Sequence, residues 1–560
     1  MYPYTPSLLL LVPLLLVFCY ALSTFLRLLI SQHLSPLRRL PGPPSHSWFM
    51  GNLKDMHDQE NNGLLHTWQQ KYGNTFVYKG FIGGRRLMTM DLRAVAYILG
   101  SAYDYPKPEF VRDNLASMAA GHDGLLTVEG DQHRRQRKIL APAFTTTHIK
   151  SLTPIFWEKA TQLRDIWLQM AQDQHADETT PKQTVDVLAW LGRATLDVIG
   201  LAGFGYPFNS LENQDDELAN AFSVIFSTAR KFRIITILQV WFPILRRFRR
   251  NNALMGKAKE TMKRIGLGLI QERRDAVLAE MENDGKVDKT TLGRDLFSVL
   301  VRSNMSTTPS QRMSTPEILC QISTFLTAGY ETTSSSLTWT LYALSLSPST
   351  QNTLRTSLRT LSPTSPSLIQ EICELEYLDW VVRESLRLHA PITNTMRAVG
   401  RERDEIPLKS EVVGKDGVRR AYVEVRKGDI ISVPIQAIGR SMEVWGEDAN
   451  LFRPERWKSP PEEAKAIPGL YSNILTFLNG NPINGNRACI GYRFALIEIK
   501  IFLYVLLRDL EFSIDPTTVV EKKINVVTRP FVRSEPGMGN QMPLYIRSVS
   551  GVDPTNVVPA

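Results

Sequence analysis

The chain has 560 residues, 43% of them hydrophobic, and a net charge of +9. That is ample to bury a large core, and a basic balance suits nucleic acid, a membrane surface or an acidic partner. Neither zinc-finger spacing nor a basic–aromatic pattern supports nucleic acid, and four cysteines (Cys19, Cys320, Cys373 and Cys489) are too few for a disulfide framework and fit a reducing compartment.

In chain order, residues 8 to 30 read LLLLVPLLLVFCYALSTFLRLLI, with Arg27 as the only charge. The run is long enough to cross a hydrocarbon core of about 30 Å. Arg38 and Arg39 follow it and no Lys or Arg precedes it, which places the remainder on the cytosolic side. A cleaved signal peptide would want a charged start, a shorter run and a small-residue cleavage site, all missing here. Residues 1–30 therefore read as an anchor. Residues 31–45, with Leu40-Pro41-Gly42-Pro43-Pro44, read as a stiff hinge.

No Gly/Ser linker, repeat or low-complexity tract divides the interior, so residues 46–547 read as one domain and 548–560 as a frayed tail. Gly80, Gly83 and Gly84 suggest a hairpin over 75–90, and apolar spacing predicts mostly helix from about 91 to 400. An interrupted apolar stretch at 222–248, bracketed by arginines, suits either an amphipathic segment dipping into a membrane interface or a buried core helix. Residues 420–435 read as strands around Lys427-Gly428-Asp429, and a helix follows Cys489 to about Leu507. The fold class is mainly α with small β-sheets.

Four motifs carry chemistry. The first runs from Phe477-Leu-Asn-Gly480 to Arg487-Ala-Cys489-Ile-Gly491, a cysteine in a glycine-bearing loop ahead of a helix. Glycines permit tight turns that aim amides at a sulfur, and a helix N-terminus favours thiolate over thiol. A thiolate ligand pushes electron density onto haem iron and favours O–O cleavage. Arg487 is well placed for a haem propionate. The other three cysteines read as inert packing.

The second motif is Ala328-Gly329-Tyr330-Glu331-Thr332-Thr333. It lies in a helix expected to start near Thr315-Pro316-Glu317 and to end near Ser347-Pro348, about 50 Å long. A mid-helix Gly costs about 1 kcal/mol against Ala. Small residues there would leave room for O2 over a haem, and Glu331 with Thr332 forms an acid–alcohol pair able to relay protons. The plainer alternative is a packing groove with a back-bonded Thr.

The third is Glu384-Ser-Leu-Arg387, a weak signal alone, strengthened by Phe452-Arg453-Pro454-Glu455-Arg456-Trp457. Arg456 would complete a buried Glu–Arg–Arg network that rigidifies a core. The fourth is His133-Arg-Arg-Gln-Arg137, whose ends share a helix face and can bind one carboxylate. Arg134, Arg135 and Lys138 face elsewhere, as a docking patch for an acidic partner or as a solvated surface. Arg397 is a further candidate propionate ligand.

In this order the motifs resemble the cytochrome P-450 superfamily over residues 40 to 545, and specifically the microsomal class and fungal members of secondary metabolism. The resemblance implies the P-450 fold preceded by a single N-terminal transmembrane helix. Haem b would lie between the long central helix and the cysteine loop. It implies Cys489 as axial ligand, Glu331 and Thr332 as the oxygen-activating pair, and Glu384, Arg387 and Arg456 as a structural triad. His133, Arg137, Arg397 and Arg487 would bind the propionates, and Ala328, Gly329, Phe477 and Gly491 would border the haem. O2 is the implied co-substrate. NADPH would act through a flavoprotein reductase, with a cytochrome b-type protein as a further donor. The location would be the endoplasmic-reticulum membrane, with the N-terminus lumenal.

Two departures stand out. The family has Trp where this chain has His133, and its loop aromatic precedes the cysteine by seven residues, where this chain has Pro482. Deleting residues 481–485 restores the register, which implies a five-residue insertion that bulges outward and leaves Gly480 and Gly485 competing for one role. Residues 111–127, Phe325, Ala328, Ile392–Thr395 and Pro530–Val532 would line a pocket for a lipophilic substrate. A terpenoid or related metabolite is expected, with fatty acids, sterols and xenobiotics open. The alternatives to a monooxygenase are a reductase-independent haem-thiolate isomerase or dehydratase, and an inactive membrane-anchored binding protein.

Overall fold

The computed structural model describes residues 15–549 except 17, 21, 24, 25, 27–29, 31–33, 59–62, 120, 176–183, 214, 231–252, 283–294, 307, 472, 482–484 and 525. Most of the expected anchor, residues 231–248 of the arginine-bracketed stretch and nearly all of the tail lie outside the described residues. Within 15–30, the described residues are helical and exposed. Among the described residues, one helix is long and apolar enough to cross a membrane, Val187–Phe204, and it is mostly buried within the protein.

Seven helices frame the site: α1 (Leu92–Gly100), α2 (Gly130–Leu140), α3 (Thr153–His175), α4 (Val187–Phe204), α5 (Thr315–Ser345), α6 (Glu376–Leu388) and α7 (Tyr492–Asp509). The central helix α5 is capped by Ser314, one residue earlier than the sequence suggests, in a reciprocal capping box with Glu317. Glu317 also accepts from Gln132, Arg135 and Gln136, so the start of α5 is tied to α2. Arg135 is therefore held inward and does not belong to an exposed docking patch. Arg134 and Lys138 remain exposed. Helix α3 packs on α7 through two aromatic pairs, Phe156 edge-on to Phe494 at 4.7 Å and Trp157 tilted on Tyr504 at 5.7 Å between centroids.

The strands are β1 (Thr75–Lys79), β2 (Arg85–Thr89), β3 (Val185–Asp186), β4 (Thr395–Ala398), β5 (Arg403–Val413), β6 (Arg419–Arg426), β7 (Ile430–Val433), β8 (Gly480–Asn481), β9 (Gly485–Asn486), β10 (Leu510–Ser513), β11 (Val520–Ile524), β12 (Thr528–Val532) and β13 (Pro543–Ser548). The largest sheet has the order β1-β2-β7-β4. The hairpin expected over 75–90 forms, with Thr75 opposite Thr89. The strands on either side of Lys427-Gly428-Asp429 also form, but in different sheets. β6 pairs with β5, while β7 lies between β2 and β4. Gly428, at φ +87°, makes the corner.

The proline-rich stretch lies along this sheet. Val77 donates its amide to the Pro41 carbonyl at 2.9 Å, and a Cβ on Gly42 would meet the Val77 carbonyl oxygen at 1.7 Å. Leu37 and Leu40 join a second, smaller core with Val77, Leu87 and Ile431. Residues 35–44 thus pack on the globular unit as an edge rather than standing free of it.

Candidate haem-thiolate site

The cysteine loop begins at Phe477, whose ring packs between Tyr471 and Tyr492 and whose carbonyl accepts the Cys489 amide at 2.9 Å. Leu478 turns the chain with a left-handed backbone, at φ +57°. β8 and β9 then pair, Gly480 opposite Asn486 and Asn481 opposite Gly485. This short ladder closes a stem that brings Phe477 beside Cys489, while residues 482–484 of the expected outward bulge lie outside the described residues. Gly485 is buried at φ +100°, and a Cβ there would meet the Tyr103 ring at 2.8 Å. Of the two competing glycines, Gly485 is the one whose conformation only glycine tolerates easily.

Cys489 has accessible surface, yet burial pushes its thiol above the ordinary range, opposed by the Gly491 amide at its sulfur and by the Arg137 guanidinium. Its surface therefore opens into an interior cleft and not onto bulk solvent. Desolvation outweighs the one amide and the one cation at the sulfur. A metal cation at the sulfur would reverse the balance.

Beside the loop lies a cluster of basic groups. Arg137 on α2 donates to the Ala488 carbonyl at 2.8 Å. Arg487 pairs with Glu129, which also receives Lys107 at 3.4 Å. Arg397 on β4 is buried and donates to Thr395 Oγ1 at 2.8 Å and the Met396 carbonyl at 2.9 Å. The chain at 104–106 runs beside β4, with Ala398 donating to the Pro106 carbonyl and Gly400 to that of Asp104, and this brings Lys107 to the cluster. Burial, offset by Glu129, lowers Lys107 to about 8, and burial lowers Arg397 to about 10. His133 is buried with no partner at Nδ1, and burial, then Arg487, Lys107 and Arg137, push it to about 2.

Among the described residues, Lys107 and Arg487 pair with Glu129, and Arg397 and Arg137 add two further cations to the cluster. An orphaned buried imidazole nitrogen and surplus positive charge fit a ligand carrying further carboxylates. Lys107 and Glu129 are invisible to sequence reasoning because both sit in irregular chain. The one signal at Glu129 is its place just before the helix-starting Gly130.

On α5, Ala328 is exposed in the middle of an otherwise buried helix, and Thr332, one turn on, is half-buried on the same face. Thr332 back-bonds to the Ala328 carbonyl at 2.6 Å. The Cβ position of Gly329 faces α4. A Cβ there would meet Ile199 of α4 at 3.0 Å, and Thr195 of α4 donates to the Tyr330 carbonyl at 3.0 Å, so this glycine serves helix–helix approach. Phe325 likewise belongs to packing, its ring 5.7 Å from Phe144 and 6.1 Å from Phe204. Glu331 is buried and held by Arg529 of β12, a partner the sequence did not suggest.

The third constellation is brought together in full. Glu384 receives Arg387 Nη2 and Nε at 2.8 and 2.9 Å, Arg456 Nε at 2.8 Å, Trp457 Nε1 at 3.1 Å and the Arg453 amide at 3.0 Å. Arg387 Nη1 reaches the Gly439 and Ala449 carbonyls at 2.5 and 2.6 Å, and Arg456 reaches Asp448 at 2.9 Å.

Comparison with known proteins agrees with this geometry. The family model for cytochrome P-450 matches residues 41–536. The chain belongs to the cytochrome P-450 family. It is 43% identical to cytochrome P-450 monooxygenase 205 of Postia placenta, over 92% of this chain and 93% of that protein. It is 40% identical to monooxygenase 128 of the same fungus over 93% and 94%, and 33% identical to the monooxygenase claP of Ampulloclitocybe clavipes over 95% and 97%. Membership of the P-450 family carries haem held by a cysteine thiolate, use of O2 and monooxygenase chemistry. The fold, mainly helical with small sheets, is the expected one.

Proposed function

We propose that this P-450 is a reductase-dependent monooxygenase of the endoplasmic-reticulum membrane. It takes electrons from NADPH through a flavoprotein and oxidises a lipophilic small molecule of terpenoid type. Cys489 is the axial ligand, and Lys107, His133, Arg137, Arg397 and Arg487 hold the propionates. The observation that carries the reading is the surplus of buried positive charge beside the one cysteine whose surface opens into the interior. Bound haem supplies O2 activation and oxygen transfer.

The protein's own residues do the rest. The Gly491 amide and Arg137 steady the Cys489 sulfur, and Arg137 ties α2 to the loop. Ala328 leaves the α5 face low where a flat macrocycle would rest. Thr332 holds a proton at Oγ1, donated at rest to the Ala328 carbonyl, and Glu331 resupplies it. Glu384, Arg387 and Arg456 hold the chain behind the cysteine loop in place. The apolar run at 8–30 supports the anchor, and the buried Phe531 and Val532 favour an apolar substrate.

The test is a binding-spectrum screen of terpenoids, sterols and fatty acids, followed by turnover with NADPH and reductase. Terpenoid binding with NADPH-dependent oxygenation supports the proposal. Turnover that needs no NADPH and survives Thr332→Ala overturns it.

A further inference from the structure

Tyr103 stands in the turn that follows α1, and its two successors pin the backbone there. Asp104 accepts the Gly400 amide at 2.7 Å and pairs with Arg401 at 2.7 Å. Tyr105 donates its amide to the Ser101 carbonyl at 3.1 Å and its hydroxyl to Asp404 at 2.7 Å. The Tyr103 ring rests on Gly485, the last of the five residues by which the cysteine loop exceeds the family spacing. A Cβ on Gly485 would meet three adjacent ring carbons at 2.8, 2.9 and 3.0 Å, so the glycine lies against the ring face and not at its rim.

Two arginines share this ring. The Arg487 guanidinium lies 5.6 Å from the centroid and that of Arg134 4.9 Å, and Arg134 Nε also donates to the Tyr103 hydroxyl at 3.3 Å. Arg134 keeps 59% of its side chain open, against 5% for Arg487. A cation is drawn to an aromatic face more strongly once water is removed, so the ring matters more to Arg487 than to Arg134. Arg487 also reaches the Val128 carbonyl at 3.4 Å and the Glu129 carboxylate. Both of these lie on one two-residue stretch, and the ring adds a contact from a second part of the chain.

From this we infer that Tyr103 is a positioning residue for Arg487: seated on Gly485, its ring holds the buried guanidinium in the basic cluster, and the lengthened cysteine loop helps retain haem through this seat. The inference rests on the reading of Arg487 as a propionate ligand. The ring face and the hydroxyl have separable partners, since the hydroxyl meets the exposed arginine, so substitution can tell them apart.

The experiment compares Tyr103→Phe, Tyr103→Leu and Tyr103→Ala with Arg487→Gln, alone and combined, in the full-length haem-loaded protein. It reads the rate of haem transfer to an excess of a haem-scavenging protein, the haem reduction potential and thermal unfolding. Tyr103→Leu and Tyr103→Ala should speed haem loss about two- to thirtyfold, the span of one cation–π contact, and move the potential in the same direction as Arg487→Gln. Tyr103→Phe, which keeps the ring, should hold the parent's rate and potential. With Arg487→Gln in place, losing the ring should add nothing further. If Arg487→Gln leaves haem loss and potential at the parent's values, the propionate reading itself fails. If Arg487→Gln alters both while Tyr103→Leu and Tyr103→Ala do not, only the present inference is overturned. Haem loss sped by the same factor with and without Arg487, together with a lowered unfolding temperature, also overturns it, assigning Tyr103 to stability alone.

Discussion

A methyl group on Gly485 would have to occupy the Tyr103 ring while holding φ at +100°. Gly485→Ala should cost about 1–3 kcal/mol from the backbone alone and reduce haem content. Gly63→Ala, with open space around its Cβ position, should leave haem content unchanged. Unfolding curves and haem absorbance on the same samples check both. His389 offers a second test, of pH. It stacks on Trp339 with centroids 5.0 Å apart, and burial, then Lys522, Arg440 and Arg387, hold it well below the ordinary imidazole range. Below about pH 6.5 the unfolded chain takes up a proton there that the folded chain refuses. Stability therefore falls with decreasing pH below that value, by up to about 1.4 kcal/mol per unit from this group. Denaturant melts at pH 7.5 and 5.5 should show a smaller acid loss in His389→Gln than in the parent. At this scale Cys489 was legible because cysteine is scarce and motif-bound. The choice between Gly480 and Gly485 was not, since both satisfy the spacing and only the backbone conformation of Gly485 and its approach to Tyr103 separate them.

Helices were legible because each carries a local period. Helix α5 announces itself by Ser-Thr-Pro-Glu at its start, and α7 by its apolar run. Sheet partnership was not legible. β7 pairs with β2, more than 300 residues earlier in the chain, and nothing local to Ile430–Val433 specifies that. The same non-locality hid Lys107, which reaches the basic cluster only because 104–106 runs beside β4, and Arg529, which reaches α5 from the β11–β12 hairpin. The element most exposed to a single change is the α6 network. Arg387→Leu would leave Glu384 buried with two of its five hydrogen bonds gone, a loss of about 3–5 kcal/mol for a broken buried pair. Arg387→Lys should recover little, because an ammonium cannot reproduce the two-pronged contact and also reach the Gly439 and Ala449 carbonyls. Denaturant midpoints should order as parent, then Lys, then Leu. Equal midpoints would show that the network does not support the fold.

For the molecule as a whole, the fold class and four motifs were readable in chain order, whereas the docking of residues 35–44 on the first sheet was not, because prolines in sequence look alike whether a connector is free or packed. That docking makes a sharp distinction between truncations. Removing residues 1–30 should release the protein from membranes with its carbon monoxide spectrum intact. Removing 1–45 should also strip Leu37 and Leu40 from the second core and lower the unfolding temperature. Fractionation and melting curves distinguish the two. The central claim is that Cys489, returned to the interior by the β8–β9 stem, binds the haem iron as thiolate. The most direct measurement is the reduced carbon monoxide difference spectrum of the haem-loaded protein and of Cys489→Ser. A strongly red-shifted Soret band in the parent that is lost in the variant, with haem still bound, is the predicted result. Its absence from the haem-loaded parent, or its survival in Cys489→Ser, would contradict the account.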